Sequence, residues 1–144
     1  LGLMKFGRYD KAIEWLELYR NNHRYPIRYD IQVCMLFHLL AAHYEMGNYE
    51  LVNNLIVPVY RFIVKTGQQS AFEKLALRTI RRISNFQNVR EHKTALERMK
   101  AELDAMMKSD VIDRNKDLYI FLNDFIESKL QGKAYHGYLN SREI

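Results

Sequence analysis

Proline and cysteine are nearly absent from this chain of 144 residues, which has two prolines, one cysteine and six glycines. A lone cysteine, Cys34, excludes an internal disulfide, and with it the disulfide-built scaffold of small secreted domains. There is too little proline and glycine for a collagen-like or low-complexity segment, and a hydrophobic fraction of 48% is that of an ordinary folded domain. Long apolar runs are missing as well. The stretch VCMLFHLLAAHY at 33–44 is interrupted by His38 and His43 and falls short of the roughly 20 apolar residues that a membrane span needs. No membrane partner is therefore expected, and the cysteine usage points to a reducing, cytoplasmic setting. Position 1 is not methionine and no charged-then-apolar leader follows, so LGLMKFG reads as the continuation of a longer protein.

Signatures of chemistry are equally scarce. No phosphate-cradling glycine loop, paired metal histidines or Gly-x-Ser-x-Gly turn occurs. Cys34 and His38 stand one helical turn apart, where a thiol and an imidazole could meet for nucleophilic or metal chemistry. With no third ligand and no oxyanion donors in recognisable form, they read better as a core or groove-lining pair. Asp113, Asn115, Asp117 and Asp124 have the spacing of a calcium loop, but Leu118 stands where the sharp turn requires glycine, so an acid-rich helix start is the better account. No catalytic residue, metal or cofactor is assigned, and the chain is not expected to be an enzyme.

What the sequence does carry is helical periodicity. From Tyr9 to about Asn21 the apolar positions Ala12, Ile13, Leu16 and Tyr19 recur at three- and four-residue steps. A connection containing Pro26 leads to a second helix, about 31–46, with Asp30 as its N-cap; it is apolar nearly all round and should be buried on two sides. Gly47 ends it. A third helix from Tyr49 carries Val52, Leu55, Ile56, Val59 and Ile63 inward, with Pro58 inside it, up to Gly67. Ser70 caps a fourth, to about Ser84, with Phe72, Ala76, Ile80 and Ile83 inward. A fifth, about 89–108, has Ala95, Leu96, Met99, Leu103 and Met106 as its stripe. A sixth, about 115–131, has Leu118, Phe121, Leu122, Phe125 and Ile126. The tail 132–144 shows no clear period. Most aromatic residues, Trp15, Tyr19, Phe37, Tyr44, Phe62, Phe121 and Phe125 among them, fall on these stripes and should be core. The expected fold is all-α, about six helices in antiparallel pairs.

The net charge of +5 is uneven, with residues 73–102 carrying +4. Lys74, Arg78, Arg81 and Arg82 line one side of the fourth helix, opposite its apolar stripe. Three readings fit them: a solvated helix face, a surface for an acidic peptide, or a nucleic-acid contact.

Gly7, Tyr9, Ala12 and Leu16 are repeated, forty residues on, by Gly47, Tyr49, Val52 and Ile56. In this pattern the chain resembles the tetratricopeptide repeats, and its texture is similar to helical-repeat regions of bacterial proteins. The resemblance implies an α-α superhelix: a truncated first pair at 1–25, a second at 30–67, a third at 70–108 and a capping helix at 115–131. It departs at Val52 and at Leu40, where the family has small residues. The resemblance implies a groove lined by the first helix of each pair, and hence Phe37, His38 and Tyr44 as binding residues beside Lys74, Arg78, Arg81 and Arg82. The function implied is a scaffold that binds a protein or peptide, an acidic one on the charge argument, with nucleic acid as the alternative. The face around Trp15, covered only by residues 1–6, is expected to contact a second copy or an upstream repeat.

Overall fold

The computed structural model describes residues 2–21, 28–65, 71–86, 92–108 and 116–142. Among these it is all-helical, without strands, in eight helices rather than about six: α1 Gly2–Lys5, α2 Tyr9–Asn21, α3 Tyr29–Glu45, α4 Tyr49–Lys65, α5 Ala71–Ser84, α6 Lys93–Lys108, α7 Lys116–Leu130 and α8 Tyr135–Ser141. Pro26, Gly67, Ser70, Val89, Asp113 and Asn115 lie outside the described residues. The stretch without a clear period supplies α8. Two helical turns are too short to show a stripe; tertiary contact with α7 and α1 holds them, with Tyr135 and Tyr138 buried.

The expected stripes are inward on α4, α5, α6 and α7. Val52, Ile56, Val59, Ile63, Phe72, Ala76, Ile80, Ile83, Leu96, Met99, Leu103, Leu118, Phe121, Leu122, Phe125 and Ile126 are all buried, and Leu55, Ala95 and Met106 are partly buried against them. Two expectations need correction. Asp30 lies within the first turn of α3, where Arg28 is the N-cap and pairs with its carboxylate at 2.7 Å; an acid in a first turn is favourable there too. Trp15 and Tyr19 are not core: they are 54% and 52% exposed, because α2 buries only Tyr9, Ala12 and Leu16.

Three helices end in the same way. Gly7, Gly47 and Gly132 follow α1, α3 and α7 with φ of 72, 79 and 66°. In each, the glycine N–H and the next N–H turn back to helix carbonyls: Met4 and Leu3, Tyr44 and His43, Lys129 and Ser128. This is the Schellman end, which needs a left-handed residue and so favours glycine. A Cβ on Gly47 would meet nothing within 4 Å, whereas one on Gly7 would lie 3.3 Å from the His136 ring. Gly47→Ala is therefore expected to cost about 1–2 kcal/mol for the left-handed backbone alone, and Gly7→Ala more. Denaturant unfolding of both variants reads the difference; equal costs would show that the His136 ring gives way freely.

Successive helices pack in chain order, and α3 is the hub, touching α2, α4, α5 and α7. That explains why its sequence is apolar nearly all round. Tyr29 stacks on Phe62 of α4 at 5.9 Å and donates to Glu73 of α5 at 2.7 Å. The C-terminal pair then returns to the N-terminal helices, α7 against α3 and α8 against α1. Stacked repeats touch only their neighbours, so this return is a departure from a simple open stack. Polar contacts fasten it: Tyr9 Oη lies 2.9 Å from His136 Nδ1 and accepts the His136 backbone N–H at 3.0 Å, and Asn140 donates to the Lys5 carbonyl at 3.2 Å.

Candidate functional site

The residues expected to bind a partner divide into two groups. Phe37, His38 and Tyr44 are covered by the chain itself, His38 and Tyr44 by rings of α7. Phe37 is fully buried and Tyr44 nearly so. The His38 ring stacks on Phe121 with centroids 4.0 Å apart, and Tyr44 meets the edge of Phe125 at 5.5 Å. Just beyond, Glu45 pairs with Lys129 in a buried ion pair and accepts the Tyr135 backbone N–H at 3.2 Å, while the Lys129 ammonium sits over the rings of Tyr44 and Phe125. This part of α3 is thus occupied by the chain's own C-terminal helices.

Cys34 and His38 are brought together, but not for nucleophilic work. His38 Nδ1 lies 2.7 Å from the Cys34 carbonyl oxygen and 3.7 Å from Sγ. The carbonyl can only accept, so Nδ1 carries the hydrogen and cannot take a proton from the thiol. Burial also pushes the thiol up to about 11 and the imidazole down to about 4. Both are neutral near pH 7, the reverse of a thiolate–imidazolium pair. No group of three or more His, Cys, Asp or Glu among the described residues could hold a metal ion. Asp124 instead pairs with Arg142, and Asp117 is exposed at the start of α7.

The second group is open. Lys74, Arg78, Arg81 and Arg82 are all exposed, and none forms an ion pair with a described residue. The only acid on α5, Glu73, is buried and occupied by Tyr29. Nothing within the helix neutralises the row.

Sequence reading missed what lies beside it. Asn53 of α4 is hydrogen-bonded to Asn85 and Ser84 at the far end of α5, at 3.2 Å each. The end of α4 leads into the start of α5 and this contact joins the start of α4 to the end of α5, so the two packed helices run antiparallel; counting along both from Asn53 sets Val57, Tyr60 and Val64 level with Arg81, Arg78 and Lys74. At 100° per residue those three side chains share the flank of α4 that carries Asn53. They are 48%, 48% and 38% exposed. An apolar row therefore borders a basic row. Periodicity assigns α4 one buried stripe at Val52, Ile56, Val59 and Ile63; the second row, with its own spacing of three and four, was the available signal. A separate apolar surface, Trp15, Leu18 and Tyr19, is exposed on α2.

No protein-family model, curated protein or solved structure matches the chain. Among the described residues no helix is long and apolar enough to cross a membrane.

Proposed function

We propose that the chain is a non-enzymatic interaction module, a tetratricopeptide-like helical repeat that binds an acidic segment of a partner protein across the exposed face of α5. The observation that carries this reading is the row Lys74, Arg78, Arg81 and Arg82: four exposed cations on one side of one helix, with no ion-pair partner among the described residues and no exposed acid on that helix. Guanidinium groups left open to solvent keep their donors for carboxylates of a partner, which they bind in forked pairs. The repeated Gly-x-Tyr junctions and the helix pairs support the repeat class. The neutral Cys34–His38 pair supports a role without catalysis, and the free thiol fits a reducing, cytoplasmic setting.

Nucleic acid is the second reading, favoured by the exposed ring of Tyr60 next to the cations, where a base could stack. Titrating the chain with an acidic peptide and with a single-stranded oligonucleotide, at low and raised salt, separates the two. The oligonucleotide should lose affinity steeply with salt through counterion release if it is the true partner class. On the leading reading the peptide binds, and the double variant Arg78→Glu/Arg81→Glu weakens it by about tenfold or more. A variant that binds as well as the wild type would sink the assignment to this face.

A further inference from the structure

We infer that the partner segment is an amphipathic acidic helix, lying along the seam between α4 and α5 with its apolar side on Val57, Tyr60 and Val64 and its carboxylates on Lys74, Arg78 and Arg81. This rests on the acidic-partner reading above and narrows it.

The argument is one of matched rows. Asn53, held by Ser84 and Asn85, sets the register of the antiparallel pair α4 and α5. Counting along both helices from that point pairs Val57 with Arg81, Tyr60 with Arg78 and Val64 with Lys74. On α5, Ser84 marks the flank that faces α4, so Arg81 and Lys74 are the cations nearest the seam, Arg78 is next and Arg82 lies at the far edge. Each row repeats at steps of three and four and extends for about two turns, roughly 10 Å of helix axis.

A partner helix presents its side chains at the same steps. Its apolar positions at i, i+3 and i+7 can follow Val57, Tyr60 and Val64, while acids one helix flank away reach the cations. An extended strand presents one face every second residue and cannot keep pace with rows built on three and four. Charge complementarity selects the sign: α5 has no exposed carboxylate of its own, and its exposed cations have no ion-pair partner among the described residues. Tyr60 is the expected anchor, a half-exposed aromatic ring beside arginine of the kind that dominates binding energy at interfaces.

The test uses the whole chain and four probes read by fluorescence anisotropy in low salt. The first is a peptide of about four helical turns with leucines at i, i+3 and i+7 and glutamates flanking them. The second has the same composition, rearranged so that the leucines no longer share a helical face. The third is an oligoglutamate and the fourth a single-stranded DNA oligonucleotide. The patterned peptide should bind about tenfold more tightly than the rearranged one, the level at which about one well-buried side chain contributes. Val57→Ser/Val64→Ser, two exposed changes expected to leave folding intact by melting, should abolish that preference without altering oligoglutamate binding. Equal binding of the patterned and rearranged peptides overturns the helix inference and leaves the acidic-partner reading standing. Binding of the oligonucleotide alone overturns both in favour of nucleic acid, and binding of none of the four removes both.

Discussion

Replacing Glu45 by alanine is expected to lower stability by about 3–5 kcal/mol, one of the largest effects of a single polar substitution in this chain. The Glu45 and Lys129 side chains are 6% and 8% exposed. Taking two charges out of water is costly, and here the cost is offset by their mutual attraction, by the Tyr135 N–H on Glu45 and by the rings beneath the ammonium. Remove the carboxylate and the ammonium remains buried without its counter-charge. Burial already lowers the Lys129 pKa, with Glu45 acting against that shift. The double replacement Glu45→Leu/Lys129→Met should recover most of the loss, since an apolar pair of similar volume is often as stable as a buried ion pair. Denaturant unfolding of the three proteins reads the prediction directly. A single variant within about 1 kcal/mol of wild type would show that α7 is not held to α3 by this pair.

Acid is expected to weaken the fold through His38. Its pKa is pushed down to about 4 from an ordinary 6.5, chiefly by burial. Between those values the unfolded chain binds a proton that the folded chain does not, so stability falls as the pH drops from about 6.5 and the loss is complete near pH 4. A shift of that size corresponds to about 3 kcal/mol. His43, also lowered by burial, acts in the same direction. Asp124, raised by burial against the pull of Arg142, acts in the opposite one: its folded form gains a proton first, so this group favours the fold as the pH falls. Comparing the pH dependence of unfolding in the wild type and in His38→Gln isolates the histidine. The glutamine variant should start less stable at pH 7, having lost the stack on Phe121, and lose less between pH 6.5 and 4. Parallel curves for the two proteins would mean that His38 takes up its proton in the folded state.

Helix existence was legible because each long helix buries one face, and a buried face must repeat every three or four residues. Gly7 and Gly47 were legible for a related local reason: the Schellman end of a helix needs a left-handed residue, which glycine adopts most easily. Gly132 was legible as a helix stop in the same way, but α8 beyond it was not, because its two turns have no period to display. Trp15 and Tyr19 went the other way. Their spacing is that of a core stripe, but a stripe is buried only where another element covers it, and α1 supplies four residues.

The candidate site shows the same division. That Lys74, Arg78, Arg81 and Arg82 share one face of α5 is a property of the helix repeat, so the sequence alone determined it, along with the all-helical class. Which residues of α3 are covered was decided by tertiary structure: α7 brings Phe121 onto His38 and Phe125 onto Tyr44, and burying those rings is favourable. The pairing of Val57, Tyr60 and Val64 with the basic row was decided there as well. Period and composition act within a helix, whereas register between two helices is set by contacts such as Asn53 with Asn85, between residues far apart along the chain that only folding brings together.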